Sequence, residues 1–100
     1  MILVRVALPS HLRTLAGVGP EVRVEVPNTP TLADAIDALE AAHPALHGTI
    51  RDPTTGSRRA YMRYLACGRD LSHEPPSHPL PDGVIAGAEV LRVIGAIAGG

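Results

Sequence analysis

The sequence has no phenylalanine, no tryptophan and no lysine, and Cys67 is the lone cysteine among its 100 residues. Without large rings beyond two tyrosines, its core must be built from aliphatic side chains. One cysteine excludes an internal disulfide and every multi-cysteine zinc or iron–sulfur site. All nine basic residues are arginine, so lysine chemistry is excluded too. With a formal net charge of −1, there is no excess of cations to release counterions from phosphates, which argues against nucleic acid as the main partner. No run approaches the roughly 20 apolar residues that cross a bilayer, and Arg5 interrupts the opening apolar stretch, unlike a secretory signal. The expectation is a cytoplasmic protein with no membrane or nucleic-acid partner. A chain of this length builds one core and buries roughly 65% of its unfolded surface, which disfavours a deep enclosed catalytic pocket.

What is present is a clear alternation of periods. Residues 2–8 (ILVRVAL) place Ile2, Val4, Val6 and Leu8 on one face of a strand, and residues 21–26 (EVRVEV) place Val22, Val24 and Val26 opposite Glu21, Arg23 and Glu25. The intervening residues 9–20 are too many for a tight hairpin and predict one helical turn around Leu12 and Leu15. Thr31 followed by Asp34 has the form of a capping box, and Leu32, Ala35, Ile36 and Leu39 recur at helical spacing. The helix should end at His43, because Pro44 disfavours helical backbone at the residue before it. Residues 45–58 form a connection with a DPTTG turn anchored by Ile50. Residues 61–67 (YMRYLAC) read as a third strand whose buried face the pattern leaves open. A proline-rich loop at 72–81 excludes a central strand, and residues 89–94 (EVLRVI) form the last one.

Several constellations carry little chemistry. His43 and His47 have the spacing of a metal pair, but Pro44 interrupts the helix between them. His73, Glu74, His78 and Asp82 share a loop and read better as solvated residues than as ligands. Cys67 reads as a small buried thiol, with no neighbour placed by the sequence to lower its pKa. The Gly17 stretch does not follow a strand and open a helix, so it is no phosphate loop. No metal site is assigned.

One helix covering one sheet face implies an α+β domain of two layers. The arrangement that buries the Ile2/Val4/Val6, Val22/Val24/Val26 and Leu32/Ile36/Leu39 faces together is the ubiquitin-like β-grasp. It has a mixed sheet of four to five strands on one main helix, with the first and last strands parallel at the centre. Residues 1–95 form this domain and 96–100 (AIAGG) a flexible tail. The helix ending in His43-Pro44, the C-G-R-D-L turn, the G-A-E-V run opening the last strand and the terminal A-I-A-G-G together resemble the ThiS/MoaD family of sulfur-carrier proteins. LPSHLRTLAG and RDPTTGSRR resemble its longer, CysO-type members. Gly95 stands where the family usually has proline, and Cys67 where it has a turn asparagine.

The resemblance implies a protein cosubstrate and not an enzyme. A partner enzyme of the E1-like adenylating kind would use ATP to activate Gly100, and sulfur would replace the nucleotide to give a thiocarboxylate. Gly99 would give access, and the carrier would bind no cofactor of its own. The sulfur acceptor would be a cysteine synthase or the large subunit of molybdopterin synthase, in which case the chain would be that enzyme's small subunit. The alternative from another class is a ubiquitin-like interaction module with an idle tail. Independently of the tail, if Met62/Tyr64/Ala66 and Leu91/Val93 face the core, alternation puts Arg5, Arg23, Arg63 and Arg92 on the face away from the helix, with Leu3, Leu65 and Ile94 beside them and Ile97 just beyond. This stripe would dock an acidic partner surface, the plainer reading being a solvated face where Glu21 and Glu25 pair with Arg5.

Overall fold

The computed structural model describes residues 1–95. Strand β1 (Ile2–Ala7) runs into a short helix, α1 (Ser10–Ala16), which ends at Gly17 in the left-handed region that glycine tolerates. Strand β2 (Glu21–Val26) then pairs antiparallel with β1, Val4 opposite Val24 and Arg5 opposite Arg23. The expected single turn around Leu12 is thus a two-turn helix, and Leu12 is its buried residue.

Helix α2 (Leu32–Ala42) begins with the capping box read from the sequence. The Asp34 amide donates to the Thr31 hydroxyl at 3.2 Å, and the Thr31 amide donates to the Asp34 carboxylate at 2.9 Å. Each satisfies a backbone donor that the first helical turn leaves without a partner. The helix stops at His43, and Pro44–Leu46 form a 3-10 turn. Leu32, Ala35, Ile36 and Leu39 are buried against the sheet.

Strand β3 (Met62–Ala66) buries Met62, Tyr64 and Ala66, settling the face that the sequence left open. It turns through Cys67 and Gly68, both at positive φ, into the two-residue strand β4 (Arg69–Asp70). Helix α3 (Asp82–Ile85), which periodicity did not predict, precedes β5 (Leu91–Gly95). The last strand starts two residues later than expected, because the amides of Ala88 and Glu89 donate to the Gly83 carbonyl and hold that segment against α3.

The sheet order is β2-β1-β5-β3-β4, with β5 parallel to β1 and antiparallel to β3. This is the mixed five-stranded, two-layered β-grasp. Its core is aliphatic except for Tyr64, and the connection after α2 is pinned by fully buried Leu46 and Ile50. No helix among the described residues is long and apolar enough to cross a membrane.

Candidate functional site

The face of the sheet away from α2 carries the arginines. Arg5 lies between buried Val4 and Val6, Arg63 between Met62 and Tyr64, and Arg92 between Leu91 and Val93, so alternation turns all three outward. Arg23, opposite Arg5, is on the same side. Their strands β2, β1, β5 and β3 are consecutive in the sheet. The register makes the arrangement a diagonal and not a row: Arg23 pairs with Arg5, Arg92 lies beside Ala7 and Leu65, and Arg63 lies beside Ile94.

The four cations are not equivalent. Arg5 would repel Arg23 directly across the ladder, and it is drawn aside by Glu21 at 3.3 Å and by the Ala88 carbonyl at 3.1 Å. Arg63 donates to Asp70 at 3.2 Å. Arg23 and Arg92 are exposed and make no hydrogen bond or ion pair among the described residues. Half-buried Leu65 and Ile94, 38% exposed, flank Arg92 and Arg63. Leu3, 54% exposed, does not join them: it pairs with Glu25 at the far end of β1, because β5 runs parallel to β1 and meets it only from Val6 onward.

At the β4 edge of this face a hollow of about 450 Å³ is lined by Leu65, Cys67, Arg69, Glu89 and Arg92. Cys67 is exposed there, which corrects the buried thiol expected from sequence. It occupies a two-residue turn at φ 53°, and turn tips direct side chains away from the core. Helix α3 approaches this turn so closely that a Cβ on Gly83 would lie 3.2 Å from the Cys67 sulfur and 2.9 Å from Glu89 Cγ.

Gly95 remains in the ladder opposite Met62, so β5 keeps its pairing up to the last described residue without the proline usual in the resembled family. A Cβ there would stand 3.3 Å from His11 Cε1, and glycine admits this approach of α1. Ile97, Gly99 and Gly100 lie outside the described residues.

The opposite side of the molecule holds a cluster that sequence reasoning missed. Arg51 and Arg58 form an antiparallel bridge around the DPTTG turn and, with Tyr64 and Glu74, line a cavity of about 270 Å³ beside α2. Arg51 donates to Glu40 and Asp37, both at 2.8 Å. Arg58 donates to the carbonyls of Ser72, Arg59 and Met62. Burial pushes the Tyr64 hydroxyl up to about 12, partly countered by the two guanidiniums. The signal lay in the symmetric placement of two arginines about a turn, which periodicity does not register. These guanidiniums hold the connection in place, and the carboxylates beside them leave the cavity without excess positive charge.

No protein-family model matches the chain, and no curated protein matches it. Among solved structures, it is similar to SAMP1 from Haloferax volcanii, with a TM-score of 0.75 and 26% identity over 98% of this chain and 99% of that one. It is similar to a chain of the Amycolatopsis orientalis BexX/CysO complex, at TM-score 0.73 and 22% identity over 97% and 99%. A putative molybdopterin converting factor, subunit 1, from Pyrococcus furiosus aligns at TM-score 0.65 and 23% identity over 97% and 100%. The last two likenesses are of fold alone. These neighbours are small ubiquitin-like carriers and modifiers and not enzymes.

Proposed function

We propose that this chain, whose structural neighbours are the ThiS/MoaD-type ubiquitin-like sulfur carriers, CysO type included, is itself a sulfur carrier. The observation that supports this best is the position of β5: the central strand of the sheet keeps its place through Gly95, the last described residue, and the sequence continues from it as AIAGG. A carboxylate is a poor electrophile. An adenylating enzyme joins the Gly100 carboxyl to AMP with release of pyrophosphate, and a sulfur nucleophile then displaces AMP to leave a thiocarboxylate. ATP belongs to the activating enzyme, and the chain is its cosubstrate. Gly99 and Gly100 have no Cβ to collide with a narrow channel, and they accept backbone angles that other residues refuse.

The outer sheet face supplies the contact. Arg23, and Arg92 with Ile94 and Leu65 beside it, offer charge and apolar surface to an acidic patch on the activating enzyme, raising the rate of encounter. The sulfur acceptor is a cysteine synthase in the CysO-type reading, and Ile97 is buried in the partner when the tail is bound. The reading as the small subunit of molybdopterin synthase uses the same chemistry, and isolation of the stable partner separates the two.

The test is incubation with an adenylating enzyme, ATP and sulfide, followed by intact mass and alkylation. A Cys67→Ser variant should still gain one alkyl group, located in the last peptide. Deleting Gly99 and Gly100 should abolish the gain while leaving the fold intact. A deletion variant that keeps its partner and its function would instead establish an interaction module with an idle tail. No gain with an enzyme competent on another carrier overturns the proposal.

A further inference from the structure

At most of its cationic positions the structure explains why arginine is used. Arg58 reaches three carbonyls, Arg51 two carboxylates, and Arg59 the Gly48 carbonyl at 2.8 Å. A guanidinium fork spans such partners where a single ammonium does not. Arg5 and Arg63 also donate to named partners. Arg23, Arg69 and Arg92 are different: they are exposed and make no hydrogen bond among the described residues, so a lysine would serve equally well as a solvated cation. What separates the two residues there is reactivity. An ε-amine releases its proton at about pH 10 and becomes a nucleophile, whereas a guanidinium stays protonated. Arg23 and Arg92 lie on the face that the carrier reading turns toward the activating enzyme.

Resting on that reading, we propose that the chain is a donor only, built so that its activated carboxyl cannot be captured by a side-chain amine of another copy. The excluded step is aminolysis. An amine nitrogen attacks the carbonyl carbon of the acyl adenylate and a C–N bond forms. The C–O bond to the phosphate breaks, AMP leaves with the electron pair, and the nitrogen gives up one proton to solvent. No residue of the 100 supplies an ε-amine for this step. The acyl group therefore passes to sulfide or to an amine of a different protein, never into side-chain-linked chains of carriers. Exposed Cys67 can take it only as a thioester, which small thiols reverse.

The experiment compares the wild-type chain with an Arg23→Lys/Arg69→Lys/Arg92→Lys variant. Each is incubated with the adenylating enzyme and ATP, without sulfide, at mildly alkaline pH. Products are treated with excess thiol and read by intact mass and peptide mapping. The variant should accumulate thiol-resistant dimers about tenfold above wild type, since the introduced amines face an activated acyl group held nearby, with Gly100 joined to an introduced lysine. Arg69→Lys alone, at the edge of the docking face on β4, should show a smaller increase than the triple variant and guards against a folding defect in it. Wild-type dimers as abundant as the variant's, those through the α-amine included, overturn the proposal. So does a variant that yields as much hydroxamate as wild type when trapped with hydroxylamine yet forms no more dimer than wild type. A parallel hydroxylamine trap, which converts an acyl adenylate to a hydroxamate, reports activation itself. Its failure with wild type removes the carrier reading and this proposal with it, whereas hydroxamate without the lysine-dependent dimers removes this proposal alone.

Discussion

On the α2 side of the sheet, Arg51 and Arg58 turn their donors inward onto carboxylates and backbone carbonyls. On the solvent side, Arg23 and Arg92 have no hydrogen-bond partner among the described residues. The same side chain thus holds a loop in one place and leaves a charge available in the other. Composition does not distinguish these roles, and neither does strand periodicity. The hydrogen-bond inventory does, because a guanidinium whose donors are occupied contributes to stability, while one facing water adds little to the fold and remains free to meet a partner.

The largest effect should come from Arg58→Met, which leaves three carbonyls without their charged donor and should destabilise by about 3 kcal/mol in chemical denaturation. A loss below about 1 kcal/mol would erase the distinction between the two faces. Arg51→Met should cost about 2 kcal/mol, because it strands Glu40, whose side chain is only 12% exposed.

Titration sharpens the comparison further. Tyr64, raised by burial to about 12, has an unfolded value near 10. Its contribution is complete below pH 10 and declines as pH rises toward 12, since the unfolded chain ionises first. Tyr64→Phe should flatten that alkaline limb in denaturation curves taken across the range. On the solvent side, hydrogen bonds from the Ser72 hydroxyl and amide, aided by Arg63, hold Asp70 below the usual carboxylate range. Its contribution is present above the unfolded value of about 3.9 and is lost as pH falls through the lower folded one. Asp70→Asn should reduce the slope of the acid limb.

The smallest stability effect belongs to Arg23→Ala and Arg92→Ala, each within about 0.5 kcal/mol of wild type. Association with the activating enzyme should nonetheless slow, and its dependence on salt should weaken, when followed by stopped-flow. Unchanged association at low salt would make this face merely solvated.

The strands and α2 were legible because each joins a clean period to a local stop signal. Val22, Val24 and Val26 alternate, Thr31 and Asp34 cap the helix, and Pro44 ends it. The outward placement of Arg5 and Arg92 followed from the same alternation, whereas that of Arg63 depended on which face of β3 is buried, since both of its faces carry apolar residues. Helix α3 was not legible because four residues, DGVI, are too few to show a 3.6-residue period. The exposure of Cys67 depends on a turn at positive φ, a backbone property that its residue type does not announce. The Arg58 staple joins groups brought together only by the tertiary fold, and the separation of Leu3 from Ile94 required the stagger between β1 and β5.

The placement of β5 has a mechanical meaning. A partner that grips the chain beyond Gly95 and draws it forward pulls along the axis of the middle strand. Its hydrogen bonds to β1 and β3 lie across that direction and resist in shear, so they share the force instead of parting one by one. The neighbours on both sides anchor the strand, and the body can withstand traction while its end is taken up elsewhere.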